Sequence, residues 1–138
     1  MSLILDFDAR FLLGVPAMDR THREFVDLVN SMAAAANATF AYLYPELVNH
    51  TRAHFANEEV LMQQSGFPAI KEHTDEHARV RGEMDGFGLR VGSGRIALAR
   101  AYVVEQLPAW FALHAVTMDS ALAAHLKGSV RIKAPNQS

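Results

Sequence analysis

Cysteine is absent from this chain of 138 residues, and its absence removes several classes of function at once. Without thiols the chain has no disulfides, no thiolate zinc sites, no iron–sulfur clusters and no cysteine nucleophile. Long hydrophobic runs are lacking too: the apolar stretch at residues 33–36 is short and flanked by polar residues, so we expect no membrane span. The opening MSLILDFDAR has no basic segment followed by an apolar run, so we predict no signal peptide.

An excess of charge of either sign is also lacking. Lys and Arg number 13 against 15 Asp and Glu, a formal net charge of -2 that gives no reason to expect nucleic acid or an anionic membrane as partner. Hydrophobic residues make up 50% and charged residues 20% of the chain, which is typical of a globular protein. We expect a single domain over residues 1–138, monomeric and cytoplasmic. Histidine, with seven residues, is the unusual abundance.

Breaker residues and apolar side chains at helical spacing divide the chain into predicted helices, with no convincing strand. The helices are expected at about residues 19–37, 45–65, 69–85 and 96–126. Residues 1–17 are expected to form an extended N-terminal arm, and residues 127–138 a loose polar tail. Four helices with short connections predict an all-α, antiparallel up-down-up-down four-helix bundle.

Each predicted helix carries potential metal ligands on the stripe that should face the core: His22 on the first, His54 and Glu58 on the second, His73 and His77 on the third, and His114 and Asp119 on the fourth. A single core histidine is usually satisfied by a backbone carbonyl or a neighbouring side chain, and histidine pairs also occur on exposed faces. Here four helices contribute, and no Lys or Arg shares their stripes. Burying the groups without a cation would cost roughly several kcal/mol each, so the coincidence favours a metal centre.

The number of ligands predicts two ions rather than one, because a tetrahedral zinc site takes only four. In two octahedra, two bridging carboxylates would fill four of the twelve positions, the histidines five more and an oxygen bridge two, leaving one position open. Imidazole suits iron, copper, nickel or zinc, whereas calcium and magnesium prefer oxygen ligands. Carboxylate bridging between two six-coordinate ions favours iron.

Two features should interrupt the last predicted helix. Pro108 cannot donate a hydrogen bond to the carbonyl of Val104, so a kink or a restart is expected there. His114 and Asp119 are five residues apart, and on an ideal helix their side chains diverge by about 140°. Either a π-type turn or bend near residues 114–119 brings both inward, or Asp119 is an ordinary surface residue; spacing alone leaves both alternatives open.

These segments resemble the hemerythrin family, specifically the bacterial single-domain hemerythrins. The resemblance covers nearly the whole chain and is carried by GVPAMDRTHREF, HFANEEVLM, GFPAIKEHTDEH and WFALHAVTMD. It implies a non-haem site of two iron ions (Fe2+/Fe3+), with a bridging oxo or hydroxo group, that binds dioxygen reversibly. One iron would be held by His73, His77 and His114, and the other, with the open position, by His22 and His54; Glu58 and Asp119 would bridge them.

The resemblance assigns Asp119 as a ligand and makes nitric oxide or other small anions possible alternative ligands. Three residues depart from the family's usual pattern: Phe7 stands where tryptophan is usual, Thr21 where glutamine precedes the first histidine, and Ala115 where a larger aliphatic residue is common. We hypothesise that Ala115, if it lies near the oxygen pocket, admits solvent and speeds autoxidation.

Reversible binding is favoured over catalysis because the ligand set is histidine-rich, unlike the carboxylate-rich set of ferritin-like oxidases. Apolar walls are expected to exclude water and slow proton delivery, and they would come from Phe25, Phe55, Leu61, Met62 and Trp110. For Trp110, simple core filling is an equally good interpretation. The alternatives kept open are a di-iron enzyme (peroxidase, oxidase or nitric-oxide handling) and a structural domain held by zinc or mixed metals.

The remaining polar side chains are expected to lie outside the centre. His50 is interpreted as partly exposed and structural rather than as a partner of a ligand. His125, near the end of the fourth helix, is interpreted as a favourable cation at the C-terminus of that helix. Glu59 should point away from the centre into solvent. The outer face of the third helix is expected to carry Glu72, Asp75 and Glu76.

Overall fold

A computed structural model describes residue 4 and residues 7–133, with side chains described as far as residue 128. Over this part of the chain the structure is helical and has no strand. Four long helical elements account for most of it: α2 (Pro16–Ala34), α3 (Asn37–Ser65), α4 (Ile70–Gly92) and a helical run over residues 97–133, here called the fourth bundle helix.

The connections between these elements enforce the predicted topology. They occupy only residues 35–36, 66–69 and 93–96, too few for a parallel return, so successive helices run antiparallel. α2 packs against α3, α3 packs against α4, and the fourth bundle helix packs against all three. The up-down-up-down four-helix bundle is therefore confirmed. Over the described residues, no helix combines the length and the apolar character needed to cross a membrane.

The prediction of an extended arm is wrong at residues 7–10, which form a short helix, α1 (Phe7–Arg10). The amide of Phe11 donates to the carbonyl of Phe7 at 2.8 Å, and the two buried rings lie 5.9 Å apart. An extended chain would separate these residues by about 13 Å, so a helical turn lets both rings reach the same part of the bundle. The prediction is also wrong at residues 16 and 17, which begin α2. Arm residues 1–3, 5 and 6 lie outside the described part.

α3 and α4 extend past residues that were predicted to bound them, because packing outweighs local breakers. α3 begins at Asn37 rather than near residue 45, with Pro45 inside it. An interior proline costs about 3 kcal/mol or more. Tyr44 beside it is almost fully buried, and its hydroxyl donates to the carbonyl of Met84 at 2.8 Å. α4 likewise continues through its glycines to Gly92, where Val91 is buried.

Two π-helical segments interrupt the fourth bundle helix. Its consecutive segments are α5 (Ala97–Ala101), a π-helix (Tyr102–Gln106), α6 (Leu107–His114), a second π-helix (Ala115–Asp119) and α7 (Ser120–Lys133). The restart predicted at Pro108 is confirmed, because the amide of Leu107 donates to the carbonyl of Tyr102, five residues back, and α6 begins there. The predicted tail is wrong as far as residue 133, where the helix continues; residues 134–138 lie outside the described part.

Two apolar clusters enclose a polar layer inside the bundle. The smaller cluster contains Met18, Met62, Phe67 and Leu122, and the larger contains Phe25, Phe55, Val80 and Phe111. Along the sequence of each segment, the potential ligands are preceded by a residue of one cluster and followed by a residue of the other. This alternation along four helices brings the polar side chains to one level of the bundle.

Candidate metal centre

The seven side chains predicted as ligands lie together in the buried polar layer. Each bundle helix contributes the residues expected of it, so the inward stripes were read correctly. Their exposed fractions run from 0% to 4%: His22, His54, Glu58, His73, His77, His114 and Asp119. Five imidazoles and two carboxylates are therefore almost completely shielded from solvent.

Glu58 divides its two carboxylate oxygens between two groups of histidines. Oε2 lies 2.7 Å from Nε2 of His54 and 3.3 Å from Nε2 of His22. Oε1 lies 3.2 Å from Nε2 of His77 and 3.3 Å from Nε2 of His73. One carboxylate thus serves both groups.

Asp119 divides its oxygens in the same way. Oδ2 lies 3.2 Å from Nε2 of His22, while Oδ1 lies 3.1 Å from Nε2 of His73 and 3.2 Å from Nε2 of His114. The ligand atoms therefore form two sets. The two-histidine position comprises His22, His54 and one oxygen of each carboxylate; the three-histidine position comprises His73, His77, His114 and the other two oxygens.

The second π-helix explains how Asp119 reaches this layer. A π-helix bonds each residue to the fifth residue along, so residues five apart lie one above the other. The segment Ala115–Asp119 has this pattern, and Asp119 is completely buried. The predicted π-type turn is confirmed, and the alternative of a surface aspartate is wrong.

The arrangement of these atoms fits metal ions better than it fits hydrogen bonds. Although Nε2 of His73, His77 and His114 lies 3.1–3.3 Å from carboxylate oxygens, these nitrogens have no hydrogen-bond partner among the described residues, and neither oxygen of Asp119 has one. Two ligand atoms about 2.1 Å from a shared ion and at right angles to each other lie about 3 Å apart. Nitrogens and oxygens that point past one another at this spacing suit coordination of a common ion.

Without a metal, the charges in the layer shift strongly. Burial lowers the pKa of His22, but close contacts with Asp119 and Glu58 outweigh it and raise the pKa to about 9. The same balance raises the pKa of His73 to about 9. Burial raises the pKa of Glu58, but His54, His22 and His73 hold it well below its usual range.

The pKa of Asp119 also falls far below its usual range. Burial and the charge of Glu58 oppose this shift, and close contacts with His114, His22 and His73 outweigh both. Metal-free, the layer therefore keeps its carboxylates ionised by holding protons on histidines. Since a metal ligand must give up its proton, a cation would replace these protons.

The surroundings of His77 correct the expectation that Glu59 points into solvent. Nδ1 of His77 donates to Oε2 of Glu59 at 3.0 Å, and Arg81 reaches the same oxygen at 3.4 Å. Phe55 stacks on the His77 ring, with centroids 3.9 Å apart and planes 3° from parallel. Helical periodicity missed Glu59 because its partner lies on a different helix, α4.

Trp110 also contacts the centre. Its ring stacks on His114 at 4.6 Å, and its Nε1 donates to Oε1 of Glu76 at 2.8 Å. The prediction that Glu76 belongs only to the outer face of α4 is therefore wrong. Its hydrogen bond with Arg79 lowers its pKa, burial opposes this shift, and the contact with Trp110 adds to it, so that the pKa falls to about 2. Trp110 is more than core filling.

Two pockets approach the layer from different sides. One, of about 330 Å³, reaches His54 and Glu58 at the two-histidine position, and it is lined also by Ala17, Met18, Arg20, Thr21, Asn57, Val60 and Leu61. The other, of about 270 Å³, reaches His73 at the three-histidine position and is lined by Phe67, Ala69, Thr117, Met118 and Ala121. Thr21, one of the departures from the family pattern, therefore borders the first pocket.

The other singled-out residues lie around the centre. His50 is partly exposed and its Nε2 lies 3.2 Å from Glu24, as the structural interpretation predicts. The interpretation of His125 is wrong, because its own helix continues to Lys133. Its Nε2 instead donates to the carbonyl of Ser65, the last residue of α3, at 2.8 Å. Ala115 is fully buried in the larger apolar cluster. Its burial does not test whether it affects autoxidation, so that hypothesis stays a prediction.

The fold and the site together define a class: a four-helix bundle with a buried, histidine-rich cation site in its core. The chain matches the model of the hemerythrin HHE cation binding domain over residues 13–126, and it belongs to the hemerythrin family.

Individual relatives agree with this membership. A bacteriohemerythrin of Ralstonia nicotianae is 34% identical over 116 residues, which cover 84% of each chain. A bacteriohemerythrin of Stenotrophomonas maltophilia is 30% identical over 69 residues, 47% of this chain and 45% of that one. A crystal structure of wild-type hemerythrin superposes with a TM-score of 0.82 at 21% identity, covering 91% of this chain and 98% of that chain, which supports the fold.

Proposed function

We propose that this protein binds dioxygen reversibly at a carboxylate-bridged di-iron centre, as a single domain. The proposed ligands are His22 and His54 for one iron, His73, His77 and His114 for the other, and Glu58 and Asp119 as bridges, with an oxo or hydroxo group as a third bridge. Membership of the hemerythrin family and the buried cluster support iron at this site.

One observation carries the proposal: each carboxylate presents one oxygen to each group of histidines. Oε2 of Glu58 faces His54 at 2.7 Å while Oε1 faces His77 at 3.2 Å. A carboxylate that served a single ion, or that merely paired with protonated histidines, would not need this symmetric division. The division by Asp119 repeats it.

The unequal histidine count favours one open position. The three-histidine position has five protein ligand atoms and the two-histidine position has four. A shared oxygen bridge raises these to about six and five, so the two-histidine iron of an octahedral pair keeps a vacancy. The 330 Å³ pocket adjoins that position at His54 and Glu58, which gives a small ligand access to it.

The pocket lining favours binding over turnover. Ala17, Met18, Val60 and Leu61 are apolar. The hydroxyl of Thr21 already donates to the carbonyl of Ala17 at 3.0 Å. The amide of Asn57 and the guanidinium of Arg20 are poor acids, so they would deliver protons to the centre slowly. A ligand bound there would therefore be released more readily than it is reduced. We therefore propose a binding protein rather than an enzyme.

The iron pair would supply the electrons that reversible binding of dioxygen needs. Nitric oxide and small anions fit the same access route and are proposed as competing ligands. Nothing in the proposed chemistry requires a second chain or a membrane, and we propose a cytoplasmic monomer.

The test is a cycle of oxygenation and degassing. The ferrous protein, prepared without air, is exposed to air and then flushed with argon while its visible spectrum and oxygen uptake are recorded. We expect one dioxygen taken up per two irons, with a new visible band that disappears under argon. A ferric spectrum that persists after degassing, or continuous oxygen consumption with a reductant, would replace the proposal with an oxidase or peroxidase. Two tightly held zinc ions and no colour would indicate a structural site.

A further inference from the structure

We propose that Glu59 is a positioning residue that fixes the ring of His77 with Nε2 facing the three-histidine position. The inference rests on the proposed metal centre and adds to it a residue outside the ligand set. Glu59 lies next to the ligand Glu58 on α3, but its carboxylate turns to α4, where Oε2 accepts a hydrogen bond from Nδ1 of His77 at 3.0 Å. With the proton on Nδ1, Nε2 keeps its lone pair for a metal.

His77 differs in this respect from the other histidines of the centre. The other four histidines each have a buried Nδ1 with no hydrogen-bond partner within the described part of the chain: His22, His54, His73 and His114. A histidine that binds a metal usually donates its other N–H to a carboxylate, a carbonyl or water. Among the five, His77 is the ring whose tautomer the protein itself determines with a carboxylate.

A second set of contacts holds the ring in place. Phe55 stacks flat on His77 at 3.9 Å, which blocks rotation of the imidazole about its Cβ–Cγ bond. Arg81 binds the oxygen of Glu59 at 3.4 Å and places its guanidinium 6.0 Å from the centroid of the Phe55 ring. The side chains of Glu59 and Arg81 are 26% and 30% exposed. The pair therefore lies between the His77 ring and solvent and is itself only partly buried.

The consequence is an inequality between the two metal positions. A carboxylate that accepts a hydrogen bond from a ligand imidazole makes that imidazole a stronger donor. The ion at the three-histidine position would be bound by this stronger imidazole donor, His77. At the two-histidine position, Nδ1 of His22 and of His54 has no hydrogen-bond partner among the described residues. The three-histidine position should therefore bind its ion more tightly, which leaves the other position as the more labile one.

The experiment compares Glu59→Gln and Glu59→Ala with the wild-type chain, all loaded with Zn2+ as a diamagnetic probe. Glu24→Gln is the matched control, because Glu24 also contacts a histidine, His50 at 3.2 Å, that is not a proposed ligand. Competition with a chelator measures each of two dissociation steps. NMR measures the solvent exchange of the histidine N–H protons. Thermal melts of the metal-free variants report folding.

We expect Glu59→Ala to weaken one of the two zinc ions by about 10–100-fold and to leave the other within about twofold. One slowly exchanging imidazole N–H signal should be present in the wild type and in Glu24→Gln, shifted in Glu59→Gln and lost in Glu59→Ala. If Glu59→Ala does not fold, Glu59→Gln provides the test, since the amide preserves the size of the side chain. In that variant we expect a shifted N–H signal and a smaller loss of affinity at one of the two zinc positions.

Unchanged zinc affinity and an unchanged N–H signal in both Glu59 variants would overturn the inference, as would equal weakening of both ions. A wild-type chain that binds fewer than two ions would instead overturn the proposed function. The two failures are therefore distinguishable.

Discussion

Asp119 lies one π-helical turn after His114, with its Oδ1 3.2 Å from Nε2 of the histidine. A regular α-helix would turn these two side chains about 140° apart. The extra residue in the turn therefore lets one helix supply both an imidazole and a carboxylate to the buried polar layer. Together with Glu58 from α3, it places the two carboxylates between the two groups of histidines.

Replacing the Glu58 carboxylate should cost the two-ion site. An amide in Glu58→Gln is neutral and offers only one oxygen, so it cannot place an anionic oxygen at both positions. We expect iron content to fall from two ions per chain to one or none, measured by elemental analysis after anaerobic loading. Glu72→Gln, an exposed change of equal charge on α4, should retain two ions. Full iron content in Glu58→Gln would show that this carboxylate does not bridge.

The metal-free protein should lose stability as the solution becomes alkaline. The pKa of His22 and of His73 is raised to about 9 in the folded state, against about 6.5 in an unfolded chain. A raised pKa stabilises the fold fully below about pH 6.5, and that contribution is lost as pH rises through about 9. Glu58 and Asp119 have lowered pKa values, so their contribution is present above about pH 4 and is lost on acidification.

Thermal melts with a chelator at about pH 5.5, 7.5 and 9 test this dependence. The melting temperature should be highest at the lowest of these values and should fall at each step. In His22→Gln the fall should be smaller. With zinc bound the trend should reverse between about pH 5.5 and 7.5, because the bound histidines stay deprotonated while those of the unfolded chain take up protons below about pH 6.5. A metal-free protein whose melting temperature rises with pH over this range would contradict this balance of charges.

Access to the centre should depend on the pocket at the two-histidine position. Ala17 and Ala121 are both exposed; Ala17 lines the pocket that reaches His54, and Ala121 lines the one that reaches His73. We expect Ala17→Phe to slow dioxygen association and release by about tenfold or more, at unchanged iron content, by filling the route with a ring. Stopped-flow spectroscopy measures both rates. If Ala121→Phe slows them instead, the ligand reaches the three-histidine side.

Ala115 tests whether a small residue beside the proposed ligand His114 speeds autoxidation. It is completely buried, so Ala115→Ile should destabilise the fold by about 1–3 kcal/mol through overpacking. Ala99→Ile is the matched control, since Ala99 is equally buried in the same apolar cluster but lies in α5, far along the helix from the ligands. We expect both to lower the melting temperature, and Ala115→Ile alone to slow autoxidation. An unchanged autoxidation rate would remove the hypothesis.

The sequence predicted the candidate site more completely than it predicted helix ends. Spacings of four residues place His54 with Glu58, and His73 with His77, on one face whatever the exact limits of a helix are. The five-residue spacing of His114 and Asp119 left alternatives that only the family resemblance decided. Helical periodicity is a local property, which is why inward stripes could be found without any tertiary information.

What the sequence could not predict depends on contacts between helices. Pro45 reads as a helix start, yet burial of Tyr44 against α4 carries the helix back to Asn37. Glu59 and Glu76 read as solvent-facing because each lies beside a ligand-bearing stripe. Their partners, His77 and Trp110, come from other helices, so no pattern within a single helix could have indicated them.

A crystal structure of the iron-loaded protein, with anomalous diffraction collected at the iron edge, would locate the ions themselves. We expect two anomalous peaks per chain, one among His22, His54 and an oxygen of each carboxylate, the other among His73, His77, His114 and the remaining oxygens. A single peak, or a second peak outside the layer between Glu58 and Asp119, would contradict this expectation.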